Sequence, residues 1–199
     1  TGEIPENYAG LGGRGLTSTL IQGEVHPLCH PLSDENKLVL APGLLSDTMA
    51  PCSGRLSVGT KSPLTGGIKE ANAGGTGAAR LARLGVAALV VEGQPVNGKL
   101  YALKVSADGG ELVAADDLKG LGNYDTVERL MAEHGEKASY LTIGQAGEMR
   151  MTGSSIAVTD MENRPTRHAG RGGVGAVMGA KGLKAIIVDN VGAKRVQGC

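Results

Sequence analysis

Arginines beside glycines are the residues of this chain best placed to do chemistry. Arg14 sits inside the run Ala9-Gly10-Leu11-Gly12-Gly13-Arg14-Gly15. Arg171 sits inside Ala169-Gly170-Arg171-Gly172-Gly173-Val174-Gly175, with Arg167 just upstream. A glycine turn that opens a helix presents free backbone N–H groups and a partial positive charge, and phosphate is its natural occupant. A guanidinium adds a fork of donors matched to phosphate oxygens, worth roughly 1.5–3 kcal/mol per charge-assisted bond. One such arginine is ordinarily a solvated surface charge; three on glycine turns point to an anionic ligand. The two runs also echo each other as A-G-x-G-G-x-G, which suggests a duplicated half built around a ligand with two anionic ends. Between them lie Ser53-Gly54-Arg55 and Ala71-Asn72-Ala73-Gly74-Gly75-Thr76-Gly77, where Asn72 offers an amide donor and acceptor at a turn.

Other chemistries are excluded by spacing. Both glycine runs fit G-x-G-x-x-G, but a dinucleotide fingerprint needs a strand directly before it and an acid about 20 residues after it. Residues 161–168 read as a loop, and Asp189 comes too early. No GxxxxGK[ST], GxSxG elbow or H-E-x-x-H occurs. Cys29, Cys52 and Cys199 form no CxxC pair, and His26-Pro27-Leu28-Cys29-His30 reads as a surface loop with no second ligand pair. His134 falls at a helix end as a dipole partner, and Glu148 stands as a lone carboxylate. No catalytic residue is assigned.

The elements that must carry these turns are short. Helices are predicted over 14–22, 76–84 (Thr76 as cap, Gly85 as stop), 125–134 (ended by Gly135) and 175–181. Strands are predicted over 37–41, 55–60, 86–92, 99–105, 111–115, 138–143, 155–159 and 184–188, with 61–75 as a polar, Gly-rich loop. Strands outnumber helices, so the fold class is α+β.

Composition bounds the rest. The chain has 199 residues, 41% apolar, with no Phe or Trp, so Val, Leu, Ile, Met and Ala must fill the core. Gly is enriched to 33 residues without a three-residue period, which excludes collagen. Twenty basic residues balance 20 acidic ones, so no pull toward nucleic acid or membrane is expected. No apolar run is long enough to span a bilayer. The odd cysteine count and the lack of a visible export signal point to a reducing, cytoplasmic setting, although the chain does not begin with Met.

Taken together, Tyr8 to Leu16, Ala50 to Gly66, Ala71 to Gly75, Ile143 to Glu148 and Ala169 to Gly179 with Lys184-Ala185-Ile186 resemble, in order, the N-terminal domain of aldehyde:ferredoxin oxidoreductases. The resemblance covers nearly the whole chain. It implies two β-sheets with short helices, internally duplicated, forming the base of a tungsten bis-pyranopterin site. It also implies a magnesium ion bridging the two pterin phosphates and a [4Fe–4S] cluster bound by downstream domains. Carried over by motif, Arg55, Asn72, Ala73, Gly74, Arg167, His168, Arg171 and Gly172 would bind cofactor. Backbone carbonyls at Asn72 and His168 would face the magnesium. His168 stands where the family more often has a small residue, and none of the three cysteines fits a cluster ligand. Residues 1–199 would then be one domain of a longer enzyme, with ferredoxin, an aldehyde substrate and a second copy in a homodimer as partners. Two rival readings are a non-catalytic pterin- or phosphate-binding module or subunit, and a related tungsten enzyme with a non-aldehyde substrate.

Overall fold

The computed structural model describes residues 2–193, so Cys199 lies outside the described residues. Two sheets face one another. The first has strand order β3-β2-β1-β4, from β1 (Leu38–Pro42), β2 (Leu56–Lys61), β3 (Ile68–Ala73) and β4 (Leu89–Val91), all antiparallel. The second comprises β5 (Tyr101–Ser106), β6 (Gly109–Ala114), β7 (Ser139–Thr142), β8 (Ile156–Val158), β9 (Arg167–Ala169) and β10 (Leu183–Val188). Its order is β6-β5-β10-β7-β8-β9, and only the β5–β10 pair is parallel.

Alternation of side chains explains how these sheets stack. On β1, Leu38 and Leu40 face the central core, while Val39 and Ala41 face α1 (Gly13–Glu24) through Leu16, Leu20 and Ile21. On β10, Ile186 and Val188 face inward, while Ala185 and Ile187 meet Val127 and Leu130 of α3 (Asn123–His134). Both strands are covered on two faces, so their sequences read as apolar runs, broken in β10 by Lys184 alone. Between the sheets lie α2 (Gly77–Arg83) and α5 (Val174–Ala180), the latter buried at every position. With no Phe or Trp available, close backbone approach fills the remaining space. A Cβ added at Gly179 would lie 2.0 Å from the carbonyl oxygen of Gly147 in α4 (Gln145–Glu148).

The α+β class and the two sheets stand as expected, with several local corrections. Residues 61–75 are not all loop. β3 pairs with β2 from Lys61↔Ile68 to Leu56↔Ala73, around a turn in which the Gly66 amide donates to the Ser62 carbonyl. Residues 161–168 do not stay a loop throughout, because Arg167–Ala169 pair with β8. The strand expected over 86–92 shrinks to β4, since Val86 is still tied to α2 through its amide and the Leu81 carbonyl. Thr76 occupies the cap position of α2 but makes no capping bond; its hydroxyl is engaged with the Thr159 carbonyl and Ser139 Oγ. Gly85, at φ +73°, does end that helix. The echo between the two glycine runs reaches the backbone at the matched pair Gly13 and Gly173 but breaks at Gly10/Gly170 and Gly12/Gly172. Gly10 and Gly13 have positive φ in the first run, Gly172 and Gly173 in the second, and the helices that follow are 12 and 7 residues long.

Candidate functional site

The β2–β3 hairpin builds the floor of a cleft. Ala71 and Ala73 turn into the core between the sheets. The alternate positions Glu70 and Asn72 turn outward, toward the face that α1 covers. Asn72 sits opposite Ser57, and its Nδ2 donates to Ser57 Oγ at 3.4 Å. Arg55, just before β2, donates through Nε to Asn72 Oδ1 at 2.5 Å. That bond fixes the start of an otherwise exposed arginine and leaves the rest of its guanidinium fork to the cleft.

α1 supplies one wall. It lies close on β2 because Gly59 has no side chain; a Cβ there would come within 2.6 Å of Thr17 Cβ. That approach brings Arg14 and Ser18 over β3, where Arg14 Nε donates to Glu70 Oε2 at 3.1 Å.

The opposite wall comes from β9 and the second glycine run. Asp160 organises the loop before β9. Its Oδ2 accepts from the Thr166 hydroxyl at 2.7 Å, and its Oδ1 from the amides of Glu162 at 2.9 Å and Arg164 at 3.0 Å. The Thr166 hydroxyl, then the two amides and the Arg164 charge, hold the Asp160 carboxyl down at about 2. His168 on β9 reaches Ser155 Oγ through Nδ1 at 3.1 Å. After β9 the chain turns at Gly172, φ +70°, whose carbonyl accepts from Ser62 Oγ at 2.7 Å. Ser62 belongs to the β2–β3 turn, so this bond ties the second wall to the floor.

The cleft so formed encloses about 800 Å³ and is lined by Arg14, Ser18, Arg55, Ile68, Lys69, Glu70, Asn72, His168, Gly170 and Arg171. Both glycine runs therefore contribute to a single cavity. Of the residues expected from sequence, Arg55, Asn72, His168 and Arg171 line it. Gly74 lies beside it, since a Cβ there would stand 3.6 Å from Arg55 Nη1 and 3.9 Å from Arg167 Cδ. Arg167 is thus adjacent through Gly74. Gly172 packs on Lys69, and Ala73 is buried in the core and can act only through its backbone.

Sequence reasoning missed Ser18, Lys69 and Glu70. The last two lie on β3, where paired glycines on either side masked a strand. The available signal was the alternation Glu70-Ala71-Asn72-Ala73, polar and small by turns.

Four cationic side chains surround one carboxylate here, so the cavity carries net positive charge. It suits a large polyanion that also has hydrogen-bonding edges. A pterin bearing phosphate fits that donor set: guanidinium forks and Lys69 for the phosphates, the Asn72 amide and a buried carboxylate oxygen without a partner on Glu70 for ring edges. Among the described residues no group of three or more His, Cys, Asp or Glu gathers to hold a metal by side chains.

Two other sequence candidates are structural. Glu148 is not a lone carboxylate: it pairs with the fully buried Lys184, and its Oε2 accepts from the Gly120 amide at 2.9 Å. The His26–His30 segment places Cys29 in the core under α1, and each histidine Nδ1 accepts from a nearby amide. His134 ends α3 and lies 3.6 Å from Glu133. No helix among the described residues is long and apolar enough to cross a membrane.

Comparison with known proteins gives the family. A family model described as aldehyde ferredoxin oxidoreductase, N-terminal domain, matches residues 2–190. The tungsten-containing aldehyde ferredoxin oxidoreductases of Pyrococcus furiosus and Thermococcus kodakarensis are each 43% identical over 187 residues, covering 94% of this chain and 29% of their own length. An aliphatic sulfonate oxidoreductase, WOR-like subunit, of Pyrococcus furiosus is 27% identical over 197 residues. Among solved structures, the active-site complex BamBC of benzoyl coenzyme A reductase with 1,5-dienoyl-CoA superposes with a TM-score of 0.85 at 35% identity. That match covers 94% of this chain and 27% of the other. The chain spans under a third of the length of these relatives. A match along nearly all of the chain, at this identity and with this fold, means that the chain belongs to the aldehyde ferredoxin oxidoreductase family, as its N-terminal domain.

Proposed function

We propose that residues 1–199 are the cofactor-cradling domain of a longer tungsten-pterin oxidoreductase that converts aldehydes, with water, to carboxylates. The reading is carried by one observation: both glycine runs, Arg55 and Asn72 converge on a single cationic cleft. The tungsten bis-pyranopterin, when bound, supplies the two-electron oxygen-transfer chemistry. This chain's residues bind and orient it. Arg55, Arg167 and Arg171 hold phosphate oxygens with charge-assisted bonds. Gly74 and Gly172 let the backbone come close, and Ala73 contributes through its main chain. The Asn72 amide would meet a ring edge, and the backbone carbonyls of Asn72 and His168 would hold a magnesium ion that neutralises phosphate charge. No side chain here moves a proton of the substrate. The groups that do so, and the ligands of a [4Fe–4S] cluster, belong to downstream domains. Ferredoxin is the proposed electron acceptor, in the cytoplasm, with a homodimer as the assembly.

Arg55→Ala in the full-length enzyme tests this reading. Loss of one or two bonds of roughly 1.5–3 kcal/mol each weakens cofactor binding by about tenfold or more. The variant is expected to purify with depleted pterin and tungsten; normal tungsten content contradicts the assignment. A second reading is favoured by the sulfonate oxidoreductase and benzoyl coenzyme A reductase relatives: the same cradle in an enzyme whose substrate is not an aldehyde. Metal analysis with an aldehyde screen on the full-length protein separates the two.

A further inference from the structure

The cleft holds one carboxylate among four cationic side chains, and only half of that carboxylate is satisfied. The Glu70 side chain is 7% exposed, and its Oε2 accepts from Arg14 Nε at 3.1 Å. Its buried Oε1 has no hydrogen-bond partner among the described residues. A shielded carboxyl oxygen without a donor carries a desolvation penalty until a donor reaches it.

Arg14 behaves differently. Its side chain is 75% exposed and is held only through Nε, with neither Nη atom bonded among the described residues. An anion entering the cleft can therefore draw the guanidinium toward itself. Glu70 is fixed by burial on β3 and stays in the lining of the cleft, and a guanidinium drawn off leaves its Oε2 without a donor as well as its Oε1.

We propose that Glu70 is a specificity-determining residue of this cleft. Its carboxylate accepts a hydrogen bond from a ring or amino N–H of a phosphate-bearing heterocycle, and so selects a ligand with both an anionic tail and an N–H edge over bare phosphate. The inference rests on the cofactor-cradle reading above and names the residue that discriminates within it. A divalent cation is the other group a carboxylate attracts, but Arg14, Arg55, Lys69 and Arg171 line the same space and repel it. A neutral N–H meets no such repulsion. A buried acceptor left unpaired also rejects a ligand lacking the donor far more strongly than a merely apolar pocket would.

The test uses cofactor-free full-length enzyme as wild type, Glu70→Gln, Glu70→Asp and Arg55→Ala. Each is titrated with pterin-6-carboxylate, followed by its fluorescence, and with inorganic phosphate, followed by calorimetry; melting curves check folding. Glu70→Gln keeps the shape and removes the anionic acceptor. Glu70→Asp keeps the charge and withdraws it. Both are expected to weaken the pterin probe at least tenfold and to leave phosphate within threefold of wild type. Unchanged pterin affinity, or a parallel fall for phosphate, overturns the proposal. Arg55→Ala is expected to weaken both probes. If it does so while the Glu70 variants change neither, only the role of Glu70 falls. If wild type binds neither probe, or Arg55→Ala changes neither, the cradle reading falls and takes this inference with it.

Discussion

Replacing Lys184 by methionine leaves the Glu148 carboxylate without its counter-charge and the Leu121 carbonyl without its donor. Lys184 is wholly buried on β10. Its ammonium donates to Leu121 O at 2.8 Å and pairs with Glu148, whose side chain is 11% exposed. Removing one partner of a buried pair generally costs about 3–5 kcal/mol. Glu148 keeps the Gly120 amide and a little solvent, so the lower end, about 3 kcal/mol, applies here. For a domain of this size that lowers the melting temperature by about 6–12 °C. Lys184→Met combined with Glu148→Gln removes both charges while keeping an acceptor for Gly120. The double variant is expected to recover at least about 1.5 kcal/mol relative to the sum of the single ones. Urea unfolding followed by circular dichroism on the four proteins gives the coupling. A Lys184→Met variant within about 1 kcal/mol of wild type, or additive single and double effects, refutes the reasoning and returns Glu148 to the pool of functional carboxylates.

Two further outcomes follow from the walls of the cleft. Asp160 has its pKa lowered from its ordinary value to about 2, so its stabilising bonds are complete above the unfolded pKa near 3.8 and are lost as pH falls toward 2. Asp160→Asn should be less stable at pH 7 and lose less stability between pH 5 and pH 2 than wild type; parallel stability–pH curves for the two proteins would rule this out. Gly173 has φ +71°, and an added Cβ would stand 2.3 Å from the backbone oxygen of Thr152. Gly173→Ala therefore combines backbone strain of about 1–3 kcal/mol with overpacking of about 1–3 kcal/mol, read as a large drop in the unfolding midpoint or as loss of soluble protein. A midpoint near that of wild type would contradict the close approach.

Much of this site was legible because its residues announce local geometry. The glycines at 10–15 and 170–175 can only be turns at helix starts, and arginines beside them have few roles other than holding anions. Tertiary pairing was harder to see. Lys69 and Glu70 have weak strand preference, yet β3 forms because β2 offers six aligned partners and the core accepts Ala71 and Ala73. The pairing of Lys184 with Glu148, 36 positions apart, leaves no local trace; in sequence the lysine simply opens a strand. Thr76 misled for the opposite reason. A threonine before a helix reads as a cap, but Thr159 and Ser139 lie close enough to take its hydroxyl. Where contacts span strands from both sheets, local pattern says little.

The turn bearing Arg171 runs straight into α5, the helix that has no exposed residue and whose Gly179 nearly touches the chain at Gly147. Such a wall moves only if the interior moves with it. On the facing wall α1 is itself packed on β2 through Thr17 and Gly59, but its Arg14 side chain projects into solvent and is free to swing. A molecule entering the cavity thus meets a rigid template on one side and a yielding one on the other. Differences in ligand size among proteins built on this frame should accumulate at the exposed side chains of the first helix, such as Arg14, while the second glycine corner tolerates almost none.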